Sequence, residues 1–193
     1  MAKATVKAKI ETMDKKDILQ YLKDSLGLKN TFATPRLVKV KINVGIGTYV
    51  RAGGKDFTPV VKNITDITSQ KPIITKSKKA ISNFHLRAKM PVGVTVTLRK
   101  HRMNDFINKL VNITLPRTRD FRGISVKGFD GRGNYNLGIK DISIFPEAKL
   151  ENLERTHGLQ ITIATTAKND YEGYLLLKAL GFPFKDEVKS EKK

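Results

Sequence analysis

The chain has 193 residues, with 37 Lys and Arg against 18 Asp and Glu, a formal net charge of +19 and a pI near 10.1. This excess of positive charge favours a polyanionic partner such as a nucleic acid. The absence of cysteine excludes disulfides and thiolate metal sites, and no apolar run of about 18 residues is present to span a membrane. Length and apolar content predict one domain over residues 1–193, with a flexible arm over about residues 1–12 and a frayed tail over about 185–193.

The positive charge is unevenly distributed. Residues 1–140 hold 29 basic and 9 acidic side chains, whereas residues 141–193 hold 8 and 9. The sharpest stretch, Ile67–Asn104, has nine basic residues and no acid. Because unpaired like charges destabilise a compact state, this stretch is predicted to meet a neutralising phosphate backbone. The alternative is a lysine-rich face that is only solvated.

In chain order, the first predicted element is a helix over Asp14–Leu26, with Asp14 as its N-cap. After Pro35 the apolar pattern changes to period two and predicts a strand over Val38–Val44. One face of this strand is apolar. The other face is cationic and amide-bearing, with Lys39, Lys41 and Asn43.

A second helix is predicted with Thr58 as N-cap and Pro59 as its first residue, ending near Ser69. Ile73–Thr75 follows as a short strand candidate. The loop Ser77–Pro91 is long enough to suggest function or mobility. It combines two rings, Phe84 and His85, with the cations Lys78, Lys79, Arg87 and Lys89, which is typical of RNA contact through phosphates and stacking. Alternatively, Phe84 anchors the loop to the protein's own core.

Alternation returns in a strand from Val92, whose polar outer face carries Thr95, Thr97 and Arg99. Met103–Val111 then predicts an amphipathic helix that stops before Pro116. The following segment, Arg117–Gly133, is irregular and rich in glycine, which permits close approach to RNA or to a protein neighbour. Phe121 and Phe129 are interpreted there as packing anchors. The arginines of this segment are Arg117, Arg119, Arg122 and Arg132.

In the last part of the chain, Asn134–Ile139 and Asp141–Phe145 are short extended candidates, and Leu159–Thr166 is a strand. A final helix begins at Asn169, with Glu172 as a capping-box partner. Half-polar strands mixed with amphipathic helices predict an α+β fold of two layers: a mostly antiparallel sheet with helices packed on one face and the other face open to a partner.

Enzyme signatures are weak. Gly45-Ile46-Gly47 follows a strand, as in a nucleotide-binding turn, but position 50 is Val50 and not the third glycine of that fingerprint. The three histidines lack metal-ligand spacing. The sequence therefore predicts no catalytic residue, metal or cofactor.

Eight segments, in order, resemble the signature blocks of the bacterial-type large ribosomal subunit protein five family, whose members bind 5S rRNA. They are Pro35–Gly47, Gln70–Lys79, Met90–Arg99, Leu115–Gly123, Phe129–Gly138, Phe145–Glu147, Ile161–Lys168 and Gly181–Phe184. The resemblance spans roughly residues 14–184. Ser82, Asn83, Lys89 and the extended termini depart from the family pattern, which affects the detail of the loop tip.

The resemblance implies a structural protein of translation, in the cytoplasmic ribosome, that attaches 5S rRNA to the central protuberance beside neighbouring rRNA and ribosomal proteins. It also implies contact between the loop Ser77–Pro91 and the peptidyl-site tRNA, and a bridge from the Arg117–Gly133 region to a small-subunit head protein. Asn43, Gln70 and Thr97 are then expected to hydrogen-bond 5S rRNA, beside Thr95. Phosphate neutralisation is expected from Lys39, Lys41, Lys71, Lys76 and Arg99.

Three alternatives remain at this point. Asn43 and Gln70 are also compatible with simple turn or strand-edge roles. The chain as a whole is compatible with an RNA chaperone that uses charge without a defined site, and with a small nucleotide-dependent enzyme.

Overall fold

A computed structural model describes residues 15–47, 57–119, 121–148, 157–186 and 188. Within them, the chain forms four α-helices: α1 (Lys15–Leu26), α2 (Thr58–Thr68), α3 (Lys100–Lys109) and α4 (Asp170–Ala179). The strands are β1 (Leu37–Gly45), β2 (Ile73–Lys76), β3 (Pro91–Leu98), β4 (Tyr135–Ile139) and β5 (Leu159–Thr165). The predicted α+β class is confirmed. The predicted N-cap Asp14, the arm over residues 1–12 and most of the predicted tail lie outside the described residues.

The strands form one sheet in the order β2-β3-β1-β5-β4. β3 pairs antiparallel with both β1 and β2, so the predicted antiparallel arrangement is confirmed. The period-two pattern of the central strands matches their burial: Val40, Ile42 and Val44 of β1 are at most 1% exposed. Their partners across β3, which are Val94, Val96 and Leu98, are also buried. Helix α2 contacts β3.

The chain divides into two compact units, each built from separated segments. One comprises residues 1–38, 119–136 and 163–193, and the other residues 39–118 and 137–162. In the first unit, α1 packs against α4 through a core centred on Leu22, Tyr174 and Leu176. The predicted packing role of Phe129 is confirmed there, since its ring lies 4.8 Å from that of Tyr135 and 5.9 Å from that of Phe184. The prediction of a single domain stays a prediction.

Three local predictions are wrong. The N-cap of α2 is Phe57, and Thr58, predicted as the N-cap, is the first residue of the helix. Asp141–Phe145 is not extended but contains a 3-10 turn over Ile142–Ile144, stabilised because the Ser143 N–H donates to the Asp141 carboxylate at 3.0 Å. The Asn169 side chain makes no cap bond to α4, and Glu172 instead accepts from the Lys168 N–H at 2.9 Å. The other boundaries shift by a few residues: α3 begins at Lys100 and continues as a π-turn over Leu110–Thr114, which ends before Pro116 as predicted.

Candidate nucleic-acid interface

The polar residues predicted on β1 and β3 face one another across the two strands. Lys41 is paired with Thr97, and Asn43 with Thr95, so each pair projects from the same side of the sheet. Lys41 and Thr97 are exposed, and Asn43 and Thr95 are half-buried. Further pairs lie on the same side: Gly45 with Gly93 and, from β2, Ile73 with Thr95 and Thr75 with Gly93. We call this surface the outer face: Lys41, Asn43, Gly45, Ile73, Thr75, Gly93, Thr95 and Thr97.

Register brings these residues together because directly opposed antiparallel partners have Cα atoms about 4.5–5.5 Å apart. The outer face therefore offers an ammonium, an amide and hydroxyl groups from neighbouring positions on the same side of the sheet. Two of the hydroxyls are also held by the backbone. Thr95 Oγ1 donates to the Ile42 carbonyl at 3.1 Å, and Thr75 Oγ1 donates to the Gly93 carbonyl at 2.9 Å. Each hydroxyl oxygen retains lone pairs that can accept from a ribose hydroxyl.

Gln70 joins the outer face through its side-chain amide. Its Nε2 donates to the Thr97 carbonyl at 3.3 Å, and its Oε1 accepts from Arg102 Nη1 at 3.3 Å. One amide hydrogen and one lone pair remain for another partner. Asn43 lies inside the β1–β3 pairing and is therefore not a strand-end cap. The bond from Gln70 to the Thr97 carbonyl agrees with the alternative of a strand-edge role for Gln70.

Arg102 is a contributor that sequence reasoning did not place in the site. Its only sequence signal was membership of the acid-free stretch Ile67–Asn104. Ile73 was also missed, because an isoleucine in a strand candidate is expected to be buried, yet it is 70% exposed beside Thr95. The outer face thus contains an apolar side chain among its polar ones.

The remaining predicted phosphate contacts lie around this surface. Lys39 is half-buried in β1, Lys71 and Lys76 are exposed at the two ends of β2, and Arg99 is exposed between β3 and α3. Arg99 thus lies one residue beyond the strand whose outer face it was predicted to share.

The loop Ser77–Pro91 extends the β2–β3 hairpin and is more ordered than predicted. Ser77 N–H donates to Met90 O at 2.8 Å, and Lys89 N–H donates to Ser77 O at 2.9 Å. A bridge between Ile81 and Leu86 closes its tip around a 3-10 turn. At that tip, Phe84 is 57% and Ile81 44% exposed, so Phe84 does not anchor the loop to the core. The other predicted contact residues of the loop are all exposed: Lys78, Lys79, His85, Arg87 and Lys89.

The four predicted arginines beyond α3 are exposed. Arg117 belongs to the second unit, and Arg119, Arg122 and Arg132 belong to the first. The backbone around Arg132 is fixed by carboxylates: Asp130 accepts from the Arg132 N–H at 2.9 Å, and Asp170 accepts from the Gly131 and Gly133 N–H groups at 3.1 and 2.9 Å. Arg132 therefore lies on a loop whose backbone is held by hydrogen bonds to Asp130 and Asp170.

These bonds also affect the acidity of Asp130. Desolvation raises the pKa of this carboxyl, but hydrogen bonds from the Asn134 side chain and from the Arg132 and Asn134 N–H groups outweigh it. The pKa of Asp130 consequently lies below its ordinary value of 3.8. The carboxylate that holds this loop is ionised at neutral pH.

Nothing in the described part of the chain resembles a catalytic or metal centre. No group of three or more His, Asp or Glu side chains there is placed to hold a metal ion. His85 and His101 are exposed, and burial lowers the pKa of His157, which favours its neutral form. No described helix is both long and apolar enough to cross a bilayer.

The fold and this surface define a class: a strongly basic α+β protein whose exposed polar and cationic groups suit binding and not catalysis. Comparison with known proteins agrees. Residues 30–87 match the family model described as ribosomal protein L5, and residues 91–184 match the model for the C-terminus of the same ribosomal protein family.

Similar proteins named large ribosomal subunit protein uL5 occur in several bacteria. The Desulfatibacillum aliphaticivorans protein is 54% identical, over 85% of this chain and 91% of its own length. The Bdellovibrio bacteriovorus protein is 51% identical over 92% of this chain and 98% of its own length. The Halothermothrix orenii protein is 49% identical over 88% of this chain and 94% of its own length.

The chain belongs to the bacterial-type uL5 family of ribosomal proteins. It is a structural, non-enzymatic component of the large ribosomal subunit and associates there with ribosomal RNA and proteins. This confirms the predicted family, the absence of enzymatic function and the ribosomal, cytoplasmic location. The enzyme alternative is thereby excluded.

Proposed function

We propose that the chain binds 5S rRNA through the outer face and attaches it to the central protuberance of the large subunit. The observation that carries this proposal is the pairing of Lys41 with Thr97 and of Asn43 with Thr95 on the polar side of the sheet. β2 and β3, which supply five of the eight residues of this surface, lie inside the acid-free stretch Ile67–Asn104. In this proposal the helices cover the opposite, apolar side of the sheet.

The chemistry of the outer face suits folded RNA. The minor groove of an RNA helix is wide and shallow and displays 2′-hydroxyls, which amides and hydroxyls can both donate to and accept from. Asn43, Gln70 and Thr97 supply such groups, and Gln70 is already oriented by two hydrogen bonds. The surrounding cations neutralise phosphates and drive affinity without reading sequence. These cations are Lys39, Lys41, Lys71, Lys76 and Arg99.

Two further contacts belong to the same proposal. The loop Ser77–Pro91 contacts the peptidyl-site tRNA, which is supported by its exposed cations and by the 57% exposed ring of Phe84 at its tip. The region Arg117–Gly133 bridges to a protein of the small-subunit head. Its exposed arginines and the held loop of Arg132 support this role.

A competition filter-binding experiment with the full chain tests the 5S rRNA proposal. Labelled 5S rRNA is displaced by unlabelled 5S rRNA or by an unrelated structured RNA of equal length at fixed salt. A defined site should favour 5S rRNA by about 4 kcal/mol or more, the lower end of specific over non-specific binding. Equal displacement by both RNAs would instead support a general RNA chaperone.

A further inference from the structure

Gly45 occupies a position in β1 where neither its backbone conformation nor the packing of the described residues requires a glycine. It is not among the described glycines with positive φ, so an L side chain fits its backbone conformation. A Cβ atom at this position would meet no described heavy atom within 4 Å. Glycine in a strand costs backbone entropy and packs nothing, and it often marks the close approach of a ligand or another backbone.

Contacts within the protein explain the glycine at position 93, the partner of Gly45 in β3. A Cβ atom on Gly93 would lie 2.9 Å from Thr75 Oγ1 and 3.2 Å from the Val44 carbonyl oxygen. The Thr75 hydroxyl therefore covers Gly93, and the same Cβ atom would lie 3.8 Å from Asn43 Oδ1. We call the open position at Gly45 the notch; Thr75 and Asn43 lie beside Gly93, its partner in β3.

We propose that the ribose–phosphate backbone of an RNA strand lies in van der Waals contact with the peptide backbone at Gly45. This inference rests on the proposed function and adds where the RNA approaches most closely. Asn43 precedes Gly45 by two residues and lies on the same side of β1, and its amide can bond a 2′-hydroxyl. Lys41, two residues earlier still, lies on that side as well. The facing strands β2 and β3 belong to a stretch without a single acid, so neither strand places a carboxylate against the RNA.

The test uses 5S rRNA, the full chain and two glycine variants. Gly45→Ala should raise the Kd for 5S rRNA about tenfold, because the added methyl overpacks the contact. Gly138→Ala is the matched control: Gly138 is an exposed glycine of β4 without positive φ, and a Cβ atom there also meets nothing described within 4 Å. Its Kd should stay within about twofold of wild type, and urea unfolding should show both variants folded.

A graded series sharpens the result. Gly45→Val should bind more weakly than Gly45→Ala, since a larger side chain holds the RNA further from the strand. Wild-type affinity of Gly45→Ala, or an equal loss in Gly138→Ala, would overturn the notch assignment. If wild-type protein still prefers 5S rRNA in that case, the proposed function stands and only the close approach at Gly45 fails.

Discussion

The outer face and the loop Ser77–Pro91 are two different kinds of surface, and the β2–β3 hairpin contributes to both. On the outer face, amide and hydroxyl groups project from paired strands, and Thr75, Thr95 and Gln70 are held by backbone carbonyls. On the loop, ammonium and guanidinium groups surround an exposed ring at a tip closed by one bridge. The first surface has one charged residue, Lys41, among polar groups that are largely fixed, and the second has several charges on long side chains.

This difference predicts that the outer face distinguishes one RNA from another and that the loop attracts any RNA by its charge. Fixed donors and acceptors can distinguish one RNA surface from another, because a misplaced partner leaves polar groups unpaired. Mobile cations attract any phosphate backbone and lose strength as salt rises. We therefore expect removal of the fixed amide and hydroxyl groups of the outer face to alter the preference for 5S rRNA. Removal of a cation, on either surface, should leave that preference nearly intact.

The largest effect is expected from removing the fixed polar groups. Asn43→Ala and Thr97→Ala should each weaken 5S rRNA binding by about 1–3 kcal/mol, because each removes a hydrogen-bonding group from the contact. Neither side chain belongs to the buried core, so the free energy of unfolding should change little. Filter binding and urea unfolding measure the two quantities. Asn108→Ala, an exposed Asn of α3, is the control, and normal binding by either variant would remove that residue from the site.

A smaller effect should follow from releasing Gln70. Arg102→Lys keeps the positive charge but loses the planar donor that bonds Gln70 Oε1 at 3.3 Å. We expect a loss of about 1 kcal/mol in 5S rRNA affinity with an unchanged salt dependence. In a Gln70→Ala background the same substitution should have no further effect. Additive losses in this double-mutant cycle would show that Arg102 acts on the RNA directly.

Whether a feature of this surface could be predicted from the sequence depends on how far apart in the sequence its residues lie. The polar side of β1 was predictable, since alternation along a strand is local and Lys41 and Asn43 sit at period two. The bond between Gln70 and Arg102 was not, because it joins residues 32 positions apart. The notch at Gly45 could not be predicted either, since the pairing of Gly45 with Gly93 depends on the register of β1 and β3.

Apolar residues gave incomplete information in two places: the strand at Ile73 was predicted but the exposure of its side chain was not, and Asp141–Phe145 was predicted as extended. Ile73 lies in β2, an edge strand, where one face can stay exposed. Ile142 and Phe145 are both buried, but their separation by three positions fits a single 3-10 turn and not a strand. A short apolar segment therefore determines neither which of its residues are buried nor whether they form a strand or a turn.

Removing one cation from the outer face should change salt dependence more than selectivity. Lys41→Ala should reduce the slope of log Kobs against log salt by about 0.9, the value for one phosphate contact on a duplex. The ratio of 5S rRNA affinity to that of an unrelated RNA should change little at fixed salt. Filter binding over a salt series measures both. Lys62→Ala, an exposed lysine of α2, is the control, and an unchanged slope for Lys41→Ala would remove this lysine from the phosphate contacts.

The smallest effect is expected in the loop and concerns stability. Lys89 has a φ of +65°, a left-handed conformation that costs a side-chain-bearing residue about 1–2 kcal/mol relative to glycine. Lys89→Gly removes this strain but adds unfolded-state entropy, so we expect a net gain of about 0.5 kcal/mol in the free energy of unfolding. Lys79→Gly, at an exposed loop position without positive φ, should lower stability instead. Urea unfolding decides the sign, and a loss of stability in Lys89→Gly would contradict the strain argument. Both variants should keep the wild-type preference for 5S rRNA, since neither changes the outer face.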